Sequence, residues 1–190
     1  MAYIQLEYEE QLPGIRGPMA FSPDTSQPMN ILADVLLCRP ERGTISKAER
    51  ELIGAYTSFL NDCYFCQNVH GAAASCHFGD QGKVFRQVKE NVKTAEVSEK
   101  MKALLDIAAA VQKGGKNVSQ EQIDRARELG CTDMDIHDTV LIAAAFCMFN
   151  RYVDGLNTWA PENQEAYDQS GKRIKAQGYA SFDPKKLINK

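Results

Sequence analysis

Residues 61–70 read Asn61-Asp62-Cys63-Tyr64-Phe65-Cys66-Gln67-Asn68-Val69-His70, and they contain a C-x-x-C pair followed by a histidine. Asn61-Asp62 is a helix break that can cap a new helix, so we expect a helix from Cys63 to about residue 78. On a helix that advances about 100° per residue, Cys63, Cys66 and His70 fall within about 60° of one another. The two thiols and the imidazole are therefore predicted to share one helix face.

The residue types on this face indicate acid–base and thiol chemistry. Thiols in the first turn of a helix lie near free N–H groups and the positive dipole end, which favour a thiolate. His70 follows Cys66 by four residues, so its imidazole can reach that sulfur and accept its proton. A carboxylate on the preceding helix could orient the imidazole. Glu49 and Glu51 are both candidates, and Glu51 lies beside the apolar face of its helix.

Further helices are predicted from apolar residues at helical spacing, with Gly and Pro at the boundaries. Ser46–Glu49 and Ser119–Gln122 form capping boxes at two helix starts. The longest helix, Asp133–Gly155, is apolar on most sides, which predicts burial by its own fold or by another subunit. No alternating strand pattern occurs, so the predicted fold class is all-α. The other predicted helices cover residues 29–37, 46–60, 83–91, 98–112 and 119–130.

The chain is predicted to form one domain, because 190 residues suffice for one core and are too few for two. Residues 1–28 are expected to be an N-terminal arm, since Pro and Gly recur there too often for regular structure. The all-helical domain covers residues 29–180, and its last helix, after Pro161, is expected at the surface. A C-terminal tail occupies residues 181–190.

Composition and charge exclude several classes of partner. The net charge is −3 and the pI is near 5.7, which predicts no binding to nucleic acid or to an anionic membrane. No export signal is visible, and the apolar stretch Val140–Phe149 is too short to span a bilayer. We therefore expect a cytoplasmic protein whose six cysteines are reduced at rest.

A half zinc site is the alternative interpretation of Cys63 and Cys66. Structural zinc needs four ligands, and His77 lies about 10 Å beyond His70 along the helix. One straight helix cannot wrap these four side chains around a single ion, so redox chemistry is favoured. The isolated cysteines are interpreted as small apolar side chains in the core. They are Cys38, Cys76, Cys131 and Cys147.

The combination of Glu51, Cys63-x-x-Cys66-x-x-x-His70 and the segment Asn150–Leu156 resembles the alkylhydroperoxidase D and carboxymuconolactone decarboxylase superfamily. More specifically, the chain resembles its peroxidase-related branch, over residues 14–159. The resemblance implies an all-helical domain of the alkylhydroperoxidase D-like type and an oligomer of identical subunits. It also implies a peroxidase that reduces hydroperoxides through a cysteine sulfenic acid followed by an internal disulfide.

The resemblance also assigns roles by position. Cys66 would form the sulfenic acid, Cys63 would donate a proton and resolve the intermediate, and Glu51 with His70 would form the proton relay. No metal, flavin or nucleotide cofactor is expected, and a dithiol reductant or redox partner protein would restore the cysteines. One departure concerns Phe65, because the best-studied peroxidase members have a second histidine there. Its loss removes a possible proton carrier and bears on the peroxidase rate.

Two other functions fit the same cysteine pair. A general thiol–disulfide oxidoreductase would attack protein disulfides instead of peroxides. A redox sensor would use the disulfide only to change shape. Asn150, Arg151 and Asp154 are interpreted either as pocket residues or as residues that hold a helix end or a subunit contact.

Overall fold

The computed structural model describes residues 1–188, and in this range the backbone forms helices and no strand. The all-α prediction is confirmed. None of the described helices has both the length and the hydropathy that crossing a membrane requires. The α-helices are α1 Arg16–Phe21, α2 Pro23–Cys38, α3 Lys47–Leu60, α4 Tyr64–Phe78, α5 Lys83–Asn91, α6 Glu99–Lys113, α7 Gln120–Glu128, α8 Asp133–Gly155 and α9 Gln164–Gln177.

Helix α3 lies at the centre of the domain and packs against α4, α6 and α8, while α9 packs on the other side of α4. Two glycines allow neighbouring helices to approach these central helices closely. A Cβ atom on Gly54 of α3 would lie 2.4 Å from Cζ of Phe146 on α8. A Cβ atom on Gly171 of α9 would lie 2.6 Å from the carbonyl oxygen of Ala72 on α4. Larger residues at these positions would push α8 and α9 away from the two central helices.

A buried ion pair fixes α3 against α8. Arg50 is fully buried and donates from Nη1 to Oδ2 of Asp138 at 2.8 Å and to the carbonyl of Leu36 at 2.9 Å. Arg42 donates to the other oxygen of Asp138 at 2.7 Å. Burial disfavours the charged carboxylate, but these hydrogen bonds hold the pKa of Asp138 below its usual value. The pair thereby sets the position of α3 and of Glu51, the residue after Arg50.

Local sequence signals predicted several boundaries well. The capping boxes at Ser46 and Ser119 are both present, and α5 and α8 have the predicted bounds. Between α3 and α4, however, Cys63 rather than Asp62 is the N-cap, and Asp62 adopts a left-handed conformation with φ 57°. The expected surface helix, α9, is buried along one side against α4, through residues that include Tyr167 and Ile174.

The expectation of an irregular N-terminal arm is wrong for much of residues 1–28. Helix α1 lies within this segment, and α2 begins at Pro23, six residues before the predicted start at Met29. Pro18 and Pro23 both lie in the first turn of a helix, where a missing N–H costs no hydrogen bond. The division into arm, domain and tail stays a prediction, and residues 189–190 of the predicted tail lie outside the described range.

Candidate active site

The two cysteines of the C-x-x-C pair lie at the start of α4. Cys63 is the N-cap residue, and its amide donates to the carbonyl of Ser58 at 3.0 Å. Cys66 follows in the first helical turn. Cys63 is fully buried and Cys66 is 4% exposed, and neither is linked in a disulfide. The positive end of the helix therefore acts on two thiols that are shielded from water.

A cavity of about 70 Å³ lies beside this helix, and one of the two cysteines contributes to its wall. Cys66 and His70 line it, whereas Cys63 does not. Most of the wall is apolar, because it is built by side chains that include Phe65, Val69, Phe146, Phe149 and Ile174. The cavity has room for several water-sized groups, so the non-reacting part of a small molecule could enter and reach Cys66.

His70 belongs to a hydrogen-bonded group of three side chains. Its Nδ1 lies 2.8 Å from Oε2 of Glu51, a fully buried residue of α3. The hydroxyl of Tyr179 donates to Oε1 of the same carboxylate at 2.6 Å and lies 3.2 Å from Nδ1 of His70. Burial and the charge of Glu51 raise the pKa of Tyr179 well above its usual value, so this hydroxyl stays protonated.

The surroundings of Cys66 disfavour its thiolate in the resting dithiol state. The neighbouring thiol of Cys63 and the burial of the site raise the pKa of Cys66 well above its ordinary value. The side-chain amide of Asn150 acts in the opposite direction. Two thiols in contact cannot both ionise easily, and a base is therefore needed to remove the proton of Cys66 at neutral pH.

Asn150 and Asp154 on α8 complete the environment of the pair. The Asn150 amide donates to Oγ of Ser58 at 3.0 Å and accepts from Asn61 at 2.8 Å, which ties α8 to the end of α3. The carboxylate of Asp154 has a pKa raised by burial and partly lowered by a hydrogen bond with Cys63. Asn150 therefore holds a helix end, and none of Asn150, Arg151 and Asp154 is among the residues that line the cavity. Arg151 is exposed and donates to the carbonyl of Cys147 at 2.8 Å.

Phe65, which occupies the position of the second histidine of the peroxidase members, lines the cavity. Its ring is buried and packs edge-on against Tyr167, with ring centres 6.3 Å apart. A Cβ atom on Gly14 would lie 2.1 Å from Cδ1 of Phe65, so only glycine lets the N-terminal segment cross this ring. The amide of Gly14 also donates to the carbonyl of Trp159 at 2.8 Å. The N-terminal segment thus covers one side of the site.

Three of the other cysteines have raised pKa values, which favours their protonated form. Burial is the main cause that raises the pKa values of Cys76, Cys131 and Cys38, the last to about 12. Within residues 1–188, no three side chains of His, Cys, Asp or Glu are grouped so that they could hold a metal ion. The half zinc site considered for Cys63 and Cys66 thus finds no third ligand in this range.

Comparison with known proteins places this arrangement in a known fold. The chain is similar to the alkylhydroperoxidase AhpD core, an uncharacterized peroxidase-related protein from Ralstonia eutropha JMP134, with a TM-score of 0.76 and 24% identity. The alignment covers 90% of this chain and 96% of that one. The chain has the alkylhydroperoxidase AhpD core fold. No protein-family model and no curated protein matches the sequence.

A second solved structure supports the same fold. It is an uncharacterized peroxidase-related protein from Silicibacter sp. TM1040, with a TM-score of 0.72 and 24% identity over 82% of this chain and 78% of that one. The resemblance found in the sequence is therefore confirmed at the level of the fold. At 24% identity, the similarity to these two structures shows the fold of this chain and not its activity.

The structure brings together the four residues that the sequence singled out. Cys66 and His70 line one cavity, Cys63 interacts with Cys66, and Glu51 holds His70. Of the two candidate carboxylates, Glu49 instead accepts from Ser46 in the capping box. Sequence reasoning missed the phenol of Tyr179 and the arginines that line the cavity, Arg16 and Arg173. No spacing rule could have found them, because they come from distant segments.

Proposed function

We propose that this protein is a thiol-dependent peroxidase in which Cys66 attacks the hydroperoxide and Cys63 resolves the product. One observation carries the proposal: of two interacting thiols, only Cys66 lines the cavity, and it does so beside His70. A substrate in the cavity would meet one thiol and one base. The second thiol, that of Cys63, is fully buried, and Cys63 does not line the cavity.

The proposed first step uses the free nitrogen of His70. With Nδ1–H donating to Glu51, the lone pair of His70 is on Nε2, which can accept the proton of Cys66. The thiolate then attacks the O–O bond, forms a sulfenic acid on Cys66 and releases an alkoxide that takes up a proton. The sulfur is oxidised by two electrons, and the peroxide is reduced by the same two electrons.

The proposed second step converts the sulfenic acid into a disulfide. This does not yet restore the thiols, but it protects the sulfur of Cys66 from further oxidation. The thiol of Cys63 condenses with the sulfenic acid, forms the Cys63–Cys66 disulfide and releases water. One hydroperoxide and two thiols thus give one alcohol, one water and one disulfide. An external dithiol, supplied as a small molecule or as a redox partner protein, reduces the disulfide and completes the cycle.

Burial of the pair favours this function over general disulfide exchange. A protein disulfide must contact the attacking sulfur directly, and Cys66 is 4% exposed inside a cavity. A sensor needs no cavity beside its thiol, so the cavity also favours a substrate. We further propose a homo-oligomer, because α8 leaves the apolar side chains of Leu141, Ala144 and Met148 exposed along one face.

A peroxide-consumption assay with excess dithiol tests the proposal. We expect repeated turnover with wild-type protein and with Cys76→Ser, which removes a thiol at the far end of α4. We expect none with Cys66→Ser. A single stoichiometric oxidation would instead indicate a sensor. Reduction of a protein disulfide without peroxide turnover would indicate a disulfide oxidoreductase.

A further inference from the structure

Two arginines line the cavity that contains Cys66. Arg16 lies on α1 and Arg173 lies on α9, so the two residues are far apart in the sequence. The guanidinium of Arg16 lies 5.6 Å from the ring centre of Phe65, and that of Arg173 lies 4.1 Å from the ring centre of Phe182. The side chains of two cationic residues therefore form part of the wall of a largely apolar cavity.

Neither arginine has an anionic partner in the described part of the chain. Arg16 donates one hydrogen bond, to Oγ of Ser170 at 2.7 Å, and Arg173 forms neither a hydrogen bond nor an ion pair with residues 1–188. Glu51 is the carboxylate whose charge acts on Arg173, but its two oxygens are already bonded to His70 and Tyr179. The guanidinium groups thus keep donors that a ligand could use.

The electrostatics of the two groups also favour an added anion. Burial, and next the positive charge of Arg173, lower the pKa of Arg16 to about 10. Burial likewise lowers the pKa of Arg173. The two positive charges have lost part of their hydration, and they repel each other. A carboxylate between them would offset both the lost hydration and the repulsion. Arginine is well suited to this because its planar fork can bind a carboxylate through two hydrogen bonds.

The cavity also has a larger neighbour, with which it shares part of its wall. A second cavity of about 370 Å³ shares Met19, Asn30 and Phe182 with the first, and it lies between α2 and the segment 180–185. The side chains that are not shared include polar ones, such as Ser26, Gln27 and Lys185. An elongated molecule could therefore occupy the apolar cavity with one part and extend past Phe182 with another.

We propose that Arg16 and Arg173 bind the carboxylate of an amphipathic organic hydroperoxide, such as a fatty acid hydroperoxide, and thereby select the substrate of Cys66. This inference rests on the proposed peroxidase function. The apolar part of the substrate packs against the aromatic side chains, and the peroxide group reaches the thiol. Cys66 and Cys63 are oxidised to the disulfide, and the hydroperoxide is reduced to the hydroxy acid and water.

A matched substrate pair tests the selection. The values of kcat/KM for linoleic acid hydroperoxide and for its methyl ester are measured with excess dithiol, at micromolar concentration. We expect wild-type protein to prefer the acid by about ten-fold or more, as a charge-assisted hydrogen bond implies. The preference should fall toward one in Arg16→Gln and Arg173→Gln, and Arg173→Lys should keep part of it. Arg86→Gln, which removes an exposed charge on α5, should keep the wild-type ratio.

A binding measurement separates this inference from the proposed function. Calorimetry compares decanoate with decan-1-ol, which lacks the charge, on wild-type protein and on Arg173→Gln. Decanoate binding that Arg173→Gln weakens, without turnover of any hydroperoxide, would support the anion site and contradict the peroxidase. Equal kcat/KM for acid and ester, or decanoate binding no tighter than decan-1-ol binding, would overturn the anion site.

Discussion

The hydroxyl of Tyr179 lies 2.6 Å from Oε1 of Glu51, although 128 residues separate the two in the chain. Glu51 uses its other oxygen to hold Nδ1 of His70 at 2.8 Å. The phenol therefore fixes the carboxylate that orients the imidazole. Tyr179 belongs to none of the sequence motifs described above. It acts as a positioning residue for the proton relay of Glu51 and His70.

Removal of this hydroxyl should slow peroxide reduction. Tyr179→Phe keeps the buried ring but removes one hydrogen bond to a charged group, which is worth about 1.5–3 kcal/mol. We expect the rate of peroxide attack to fall by about ten-fold or more, with a changed pH profile because His70 is less well held. Tyr56→Phe removes the hydroxyl of a half-buried tyrosine on α3 and should have no such effect. Equal rates and pH profiles for both variants would contradict the role of Tyr179.

The neighbouring thiol should control the ionisation of Cys66. Cys63 is the largest cause of the raised pKa of Cys66, and burial is the next. In Cys63→Ala the pKa of Cys66 should therefore fall, while remaining above its usual value because the site stays buried. The rate of alkylation of Cys66, followed by mass spectrometry, should reach its midpoint at a lower pH than in wild-type protein. Cys76→Ala should leave the midpoint unchanged, and an unchanged or higher midpoint in Cys63→Ala would contradict the prediction.

The ion pair between α3 and α8 should dominate stability near the site. Asp138→Asn leaves the fully buried Arg50 without its anionic partner, which costs about 3–5 kcal/mol of unfolding free energy. Asp133→Asn, in the exposed pair with Arg127 on the same helix, should cost less than about 1 kcal/mol. Urea denaturation at pH 7 measures both. Similar losses of unfolding free energy in the two variants would contradict a larger contribution from the buried ion pair.

The lowered pKa of Asp138 also fixes the pH range of this contribution. Because the native pKa lies below the unfolded value of about 3.9, the stabilisation is present above that pH and is lost as the pH falls through the native pKa. Wild-type protein should therefore lose more stability than Asp138→Asn between pH 5 and pH 3. A variant that loses as much as wild type would contradict the assignment.

Local signals explain why much of the fold was predictable. Capping boxes at Ser46 and Ser119 and the apolar run in α8 act over a few residues, and the structure contains them as predicted. The error at the N-terminus has a local cause as well. Dense prolines argue against a helix, but Pro18 and Pro23 lie in first turns, where proline is tolerated, and α2 also accommodates Pro28 in its interior.

The site was predictable only where one helix carries it. Cys63, Cys66 and His70 share α4, so helical geometry relates them, and Glu51 comes from the adjacent α3. Tyr179 reaches the site only because α9 packs closely on α4 at Gly171 and Gly178 then turns the chain with φ 65°. The position of Tyr179 at the site therefore depends on tertiary packing, which the spacing of residues in the sequence does not reveal.

The exposed face of α8 should mediate assembly. Met148 is 48% exposed and lies on one stripe with Leu141 and Ala144, which a second copy of the chain could cover. Light scattering should show an oligomer for wild-type protein at micromolar concentration and a smaller species for Met148→Glu. Ile31→Glu, at an equally exposed position on α2, should keep the wild-type mass. A monomeric wild-type protein would refute the proposed assembly, and dissociation by Ile31→Glu alone would move the interface to α2.

Trapping of sulfenic acid after a single addition of peroxide tests the central claim most directly. The adduct is located by mass spectrometry in Cys63→Ser and in Cys66→Ser protein. We expect Cys63→Ser to consume one equivalent of peroxide and to carry the adduct on Cys66, because only resolution is lost. Cys66→Ser should consume none and carry no adduct. An adduct on Cys63 in Cys66→Ser protein, with none on Cys66 in Cys63→Ser protein, would reverse the two roles, and an adduct in neither would contradict the peroxidase.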